Sequence, residues 1–275
     1  MGQAKIKQYN RKQFLLQHPL CVYCGDTATT TDHCPPRCFF EGRNWPETYE
    51  FPACDPCNQL GRLDEQALAL LARIKLKDDD KEPGRSEWRK LCDGVLRNQP
   101  EIVAEWQDIS ANQRKQFFRG AFGSHGDNLR MAVWGALNLG PLSRTAIDRF
   151  GVKLGKALYY RHNAAIFEGD IYFRMIDPLI KNKNPEYLEQ VLRLAPTFAS
   201  PARNTKSLAD KFIYRFNHSP DLGAIYAVVL FGPQLAFQIM AVSQEIAERL
   251  DNHAVASGEP ITTEGVFHCT LKRRC

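Results

Sequence analysis

The chain has 275 residues, 44% hydrophobic and 24% charged, which is the balance of an ordinary folded protein. That composition excludes a largely disordered or collagen-like chain, and the length sets a prior of about two domains. Lys and Arg number 36 against 31 Asp and Glu, and the resulting charge of +5 permits a nucleic-acid partner without requiring one. Residues 4–17 read as a short basic helix carrying Lys5, Lys7, Arg11 and Lys12, with Ile6, Phe14 and Leu15 to anchor it. This opening stretch has no apolar segment of secretory-signal length. Six of the nine cysteines fall within residues 21–57. A reducing, cytoplasmic setting is therefore expected, with cysteines as metal ligands or packing groups rather than disulfides.

Next come two matched turns, Cys21-x-x-Cys24 and Cys54-x-x-Cys57. A C-x-x-C turn aims two thiolates at one point, and two such turns complete a four-thiolate site for Zn²⁺. Four protein ligands leave no position for water, so this metal is structural and the chemistry lies elsewhere. Between the turns, Thr27–Thr31 favours a strand that ends at Asp32-His33, and Cys34-Pro35-Pro36-Arg37 stiffens the exit. Neighbouring side chains on a strand point to opposite faces, so one of the Asp-His pair can hold a metal while the other acts as a base. Asp55-Pro56 reads as a helix start with Asp55 as N-cap, which places Asn58 near that helix's beginning. The amide oxygen of Asn58 and the carboxylate of Asp32 are hard ligands suited to Mg²⁺.

These residues carry a resemblance. C-x-x-C-G … D-H-x-P-P-R … C-x-x-C-N is similar to the zinc-braced HNH endonucleases, whose fold is the ββα-metal finger, and the likeness covers about residues 21–66. It implies that His33 is the general base and that Asp32 and Asn58 hold a catalytic Mg²⁺ or Mn²⁺. It also implies that Cys21, Cys24, Cys54 and Cys57 bind structural zinc, and that the product of DNA hydrolysis carries a 5′-phosphate. Arg37 and Arg62 are the candidates to touch substrate phosphate. Three positions depart from the family pattern. Tyr49 stands where the family often has an Asn, with Asn44 the nearby candidate to orient the loop. Arg62 stands at a position that often carries a further ligand, and Cys34 replaces an aliphatic residue. The alternatives are a catalytically inactive zinc-ribbon module that binds nucleic acid, and an RNA-cleaving effector.

Beyond the turns, Gly61 interrupts the helix and Leu63–Lys77 continues it. Asp64-Glu65 sits at the start of this second helix, as a cap or as a carboxylate lent to the site. Residues 78–85, charged and carrying Pro83-Gly84, form the expected linker between an HNH domain over 1–77 and a larger domain over 86–275. Helices are expected at Ser86–Arg97, Pro100–Ile109, Ala111–Phe118, Pro141–His162 and Asn184–Leu194. Arg149, Lys153 and Lys156 form one basic stripe, read as a solvated face or a track for a nucleic-acid backbone. Lys272-Arg273-Arg274 is a similar basic cluster. Tyr159-Tyr160-Arg161-His162 is read as packing at a helix end or a ligand contact. From about Leu208 the texture becomes β-branched and aromatic. The uncharged run Leu222–Val242 is split by Gly232-Pro233 and reads as strand–turn–strand rather than a membrane span. The whole is an α+β protein, an N-terminal finger followed by a mostly helical domain with C-terminal antiparallel strands.

Overall fold

A computed structural model gives the architecture and describes residues 3–42, 44–73, 84–113, 116, 137–176, 184–232, 235–249 and 266–269. Most of the expected linker, much of Ala111–Phe118, Pro233 and the basic cluster Lys272–Arg274 lie outside the described residues. The protein mixes helix and sheet in the α+β manner. No helix among the described residues is long and apolar enough to cross a membrane.

The N-terminal part runs α1 (Gln3–Gln17), β1 (Thr30–His33), β2 (Glu50–Ala53), α2 (Asp55–Leu60) and α3 (Arg62–Arg73). β1 and β2 form an antiparallel ladder in which Asp32 faces Phe51 and His33 faces Glu50. The cap of α2 is Cys54 rather than Asp55, with Asp55-Pro56 in the first turn where an acid and a proline fit the unpaired amides. Gly61 separates α2 from α3, as expected from the sequence.

After α4 (Gly84–Asn98) and α5 (Pro100–Gln107) comes the long helix α6 (Pro141–Asn163). It lies on an antiparallel sheet built from β3 (Gly169–Ile176), β4 (Thr197–Ala199), β7 (Phe212–Ser219), β8 (Ala224–Phe231), β9 (Leu235–Ser243) and β10 (Val266–Cys269), in the order β10-β3-β9-β8-β7-β4. A helix α7 (Pro185–Arg193) and a small β5–β6 ladder (Ala202–Arg203 with Lys206–Ser207) fill the connections. The β8–β9 hairpin confirms strand–turn–strand for Leu222–Val242. The sheet starts earlier than about Leu208, because β3 already pairs with β9 along its whole length. Ile171 and Phe173 are buried with Arg174 exposed beside them, but Asp170 and Ile176 on the other face are buried too, which blurs the alternation that marks a half-exposed strand.

One buried cluster joins the N-terminal part to the helix and sheet. Phe39, just after the Pro35-Pro36 turn, stacks on Phe150 of α6 at 5.3 Å and tilts against Phe231 of β8 at 4.9 Å. Tyr49 packs edge-on to Phe212 and donates its hydroxyl to Tyr214 Oη at 3.2 Å. The side chain at position 49 is thus a core anchor, and it is the Tyr49 backbone carbonyl that meets the His33 loop, accepting from Cys34 N–H at 3.2 Å.

Candidate functional site

The first Cys turn closes through Gly25 N–H to Cys21 O at 2.9 Å and Cys21 N–H to Asp26 O at 2.7 Å. Gly25 takes φ 77°, a conformation that favours glycine. The second turn is the start of α2. Together they bring the sulfurs of Cys21, Cys24, Cys54 and Cys57 within 4.8 Å of one another, all four residues buried. Cys24 Sγ and Cys54 Sγ are 3.6 Å apart. A tetrahedral thiolate site with bonds of about 2.3 Å has a sulfur–sulfur edge of about 3.8 Å, so the spacing fits a metal ion. Cys21 is pulled down to about 5 by the hydrogen bond from Cys57, whereas burial pushes Cys24 up to about 12. Four buried thiols thus compete for few negative charges, a competition that a bound cation would relieve. Cys34 and Cys38 stay outside the cluster; Cys34 is packed in the core and Cys38 Sγ meets Glu65 O at 3.6 Å. Cys21, Cys24, Cys34, Cys38, Cys54, Cys57 and Cys92 form no disulfide.

Beside this brace opens a cleft of about 1450 Å³. Its lining includes Asp32, His33, Asn58, Arg37 and Arg62, so the residues singled out from the sequence reach one cavity. Arg11 and Phe14 of α1 form part of another wall. His33 is 8% exposed. Its Nε2 lies 2.8 Å from Glu50 Oε1 and 2.9 Å from an Arg37 guanidinium nitrogen. Arg37 can only donate and Glu50 only accept, so these contacts are alternatives for one nitrogen: the first needs Nε2–H, the second a bare Nε2. Arg37 also lies over the Trp45 ring at 4.5 Å, and Arg203 lies over the same ring at 4.5 Å. Asn44 donates its backbone N–H to Glu41 O, and among the described residues its side chain makes no hydrogen bond to His33 or its loop. Glu50 and Arg37 are thus the groups that meet the imidazole, and for Glu50 the signal is the strand register that pairs it with His33.

Asp32 meets different partners. Tyr23 donates its hydroxyl to Asp32 Oδ2 at 2.8 Å, and Lys153 Nζ lies 2.7 Å from the same oxygen. Lys153 also pairs with Glu65 Oε1. Burial lifts Glu65 to about 7 despite the ammonium beside it. One turn further along α6, Lys156 Nζ donates to Tyr23 O at 2.7 Å. Lys153 and Lys156 are 8% and 1% exposed, which overturns both readings of the Arg149–Lys153–Lys156 stripe. A solvated face and a nucleic-acid track each need water on those ammoniums, and both point into the protein instead.

Comparisons with family models, with curated proteins and with solved structures return no match. The site is therefore characterised by its own geometry. Asn58 Nδ2 points to Thr30 Oγ1 at 3.4 Å and Thr31 O at 3.5 Å, leaving the amide oxygen as the end available to a ligand. Arg62 opens α3 and lines the cleft. Asp64 pairs with Arg149 at 3.4 Å in the first turn of α3, while Glu65 is buried in the cleft wall, so of the Asp64-Glu65 pair the second reaches the site. In the Tyr159–His162 segment Tyr160 Oη meets His18 Nδ1 at 2.7 Å and His162 Nε2 meets Tyr214 Oη at 3.0 Å, while Tyr160 and Arg161 also line a second cleft.

Proposed function

We propose that the chain is a metal-dependent endonuclease of the HNH type, acting on phosphodiester bonds of nucleic acid, DNA foremost. The observation that carries this reading is the convergence of Asp32, His33 and Asn58 on one cleft beside a four-cysteine brace, with Arg37 and Arg62 at the same opening. The brace suits Zn²⁺ by donor type and spacing. The oxygens of Asp32 and Asn58 suit Mg²⁺ or Mn²⁺, which would polarise the phosphate and stabilise the leaving oxygen. In this reading His33 takes the proton of the attacking water. Glu50 holds the imidazole and steadies the charge it gains. Arg37 and Arg62 grip phosphate oxygens and fix the strand across the cleft. Asp32, pinned at Oδ2, offers Oδ1, and Asn58 offers its amide oxygen.

Nicking of supercoiled plasmid with Mg²⁺ or Mn²⁺ tests this, wild type against His33→Ala. Loss of a general base is expected to slow cleavage by about 10²–10⁴-fold. Equal cleavage by both proteins removes His33 from the mechanism. Total RNA run in parallel identifies an RNA-cleaving effector if RNA is cut and plasmid is not. A second reading, a nucleic-acid-binding module without hydrolysis, is favoured by one observation: an ammonium already sits on Asp32. Tight binding of DNA with no cleavage by the metal-loaded wild type would establish it.

A further inference from the structure

We infer that Lys153, a residue of the distant helix α6, is a positioning residue of the same cleft: its ammonium fixes Asp32 and sets how strongly the cleft's carboxylates hold a divalent cation. The inference rests on the hydrolytic reading above and extends it by making the C-terminal part of the chain a component of the site.

Asp32 and Glu65 both line the cleft, whereas Lys153 borders a separate small void with Tyr23, Gly61 and Arg149. The ammonium thus reaches the two carboxylates from a side other than the one substrate would use. Asp32 and Glu65 are each 7% exposed and Lys153 is 8% exposed. Charges in such a place interact far more strongly than in water. Where the pH is high enough to ionise Glu65 as well, two carboxylates against one ammonium leave an excess of one negative charge. Lys153 and the Tyr23 hydroxyl both hold Oδ2 of Asp32, so that oxygen is fixed and Oδ1 remains for a cation. Anchoring α6 does not explain the arrangement, because Lys156 already ties the same helix to the Tyr23 carbonyl at 2.7 Å.

The charges predict opposite effects for two substitutions. Lys153→Met leaves two carboxylates with no internal cation, so a divalent ion binds more tightly, but Asp32 loses the donor that orients it. Glu65→Gln leaves Asp32 and Lys153 as a neutral pair, so a divalent ion binds more weakly. A purely structural lysine would change stability and neither of these.

The test uses the full-length zinc-loaded chain. Mn²⁺ binding is measured by electron paramagnetic resonance of the free ion, and cleavage of a labelled oligonucleotide is followed at saturating Mn²⁺. Lys153→Met is expected to bind Mn²⁺ at least tenfold more tightly while kcat falls at least tenfold and KM stays within threefold. Glu65→Gln is expected to weaken Mn²⁺ binding at least fivefold. A folded Lys153→Met protein with wild-type Mn²⁺ affinity and kcat overturns the inference. Should Lys153→Met fail to fold, unchanged Mn²⁺ affinity in Glu65→Gln overturns it equally. His33→Ala in the same cleavage assay keeps the two questions apart: cleavage at the wild-type rate sinks the hydrolytic reading, while the Mn²⁺ affinities still report on Lys153.

Discussion

His162 is driven down to about 4, first by burial and then by Arg161 and His218 nearby. Its ring sits 4.0 Å from that of Phe216 and bonds Tyr214 Oη. The folded chain therefore releases the proton that the unfolded chain keeps up to about pH 6.5. The stability this contributes is present above pH 6.5 and is lost as pH falls towards 4. Each tenfold difference in proton affinity between the folded and unfolded chain corresponds to about 1.4 kcal/mol. Partial solvent contact reduces the expected loss to roughly 1 kcal/mol between about pH 6.5 and about pH 5. Urea unfolding at the two pH values reads it, and His162→Gln is expected to flatten the difference. Side chains differ in how openly the sequence declares them. Cys21, Cys24, Cys54, Cys57, Asp32, His33 and Asn58 lie in short motifs whose spacing already implies convergence. Glu50 does not, because its role comes from the strand register, and the loop between β1 and β2 leaves that register open. Lys153 reads as surface charge, since lysines on a helical stripe are rarely buried unless paired, and its partners lie far back in the chain.

Helix α6 approaches the sheet closely enough that two of its glycines matter for space rather than for backbone freedom. A Cβ on Gly151 would meet Phe173 Cδ2 at 2.4 Å, and one on Gly155 would meet Ile171 Cδ1 at 3.1 Å. Gly151→Ala is expected to lower stability by about 1–3 kcal/mol through overpacking, visible as a lower midpoint in thermal circular dichroism. The start of α2 depends on the brace, because Cys54 is its cap and Cys57 lies in its first turn. Cys57→Ser is expected to reduce bound zinc from about one equivalent to well below it and to loosen α2. Metal analysis and amide exchange over residues 54–60 would check this. α6 was legible from its apolar spacing, and the β8–β9 hairpin from an apolar run broken by Gly232-Pro233. β3 was hidden, because apolar residues on both of its faces blur the period-two signal.

Across the molecule the buried cluster is continuous from the Cys turns through α6 to the sheet. Leu154, fully buried in the middle of α6, is expected to cost about 2–5 kcal/mol when replaced by alanine. Because the core is shared, zinc release followed with a chromogenic chelator and loss of sheet signal are expected at one denaturant midpoint, in wild type and Leu154→Ala alike. Two separate midpoints would show that the parts unfold independently. The α+β class and the order of Cys turns before sheet were readable from texture along the chain. The shared core was not, since contacts such as Phe39 on Phe150 join residues that no local pattern relates. The pairing of Glu65 with Lys153 spans 88 residues, and that of Tyr23 with Lys156 spans 133. Asp32 and Glu65 are made long before Lys153, the one ammonium they share. Until it arrives the two side chains have no such partner, so this wall of the cleft is completed only when α6 docks against it.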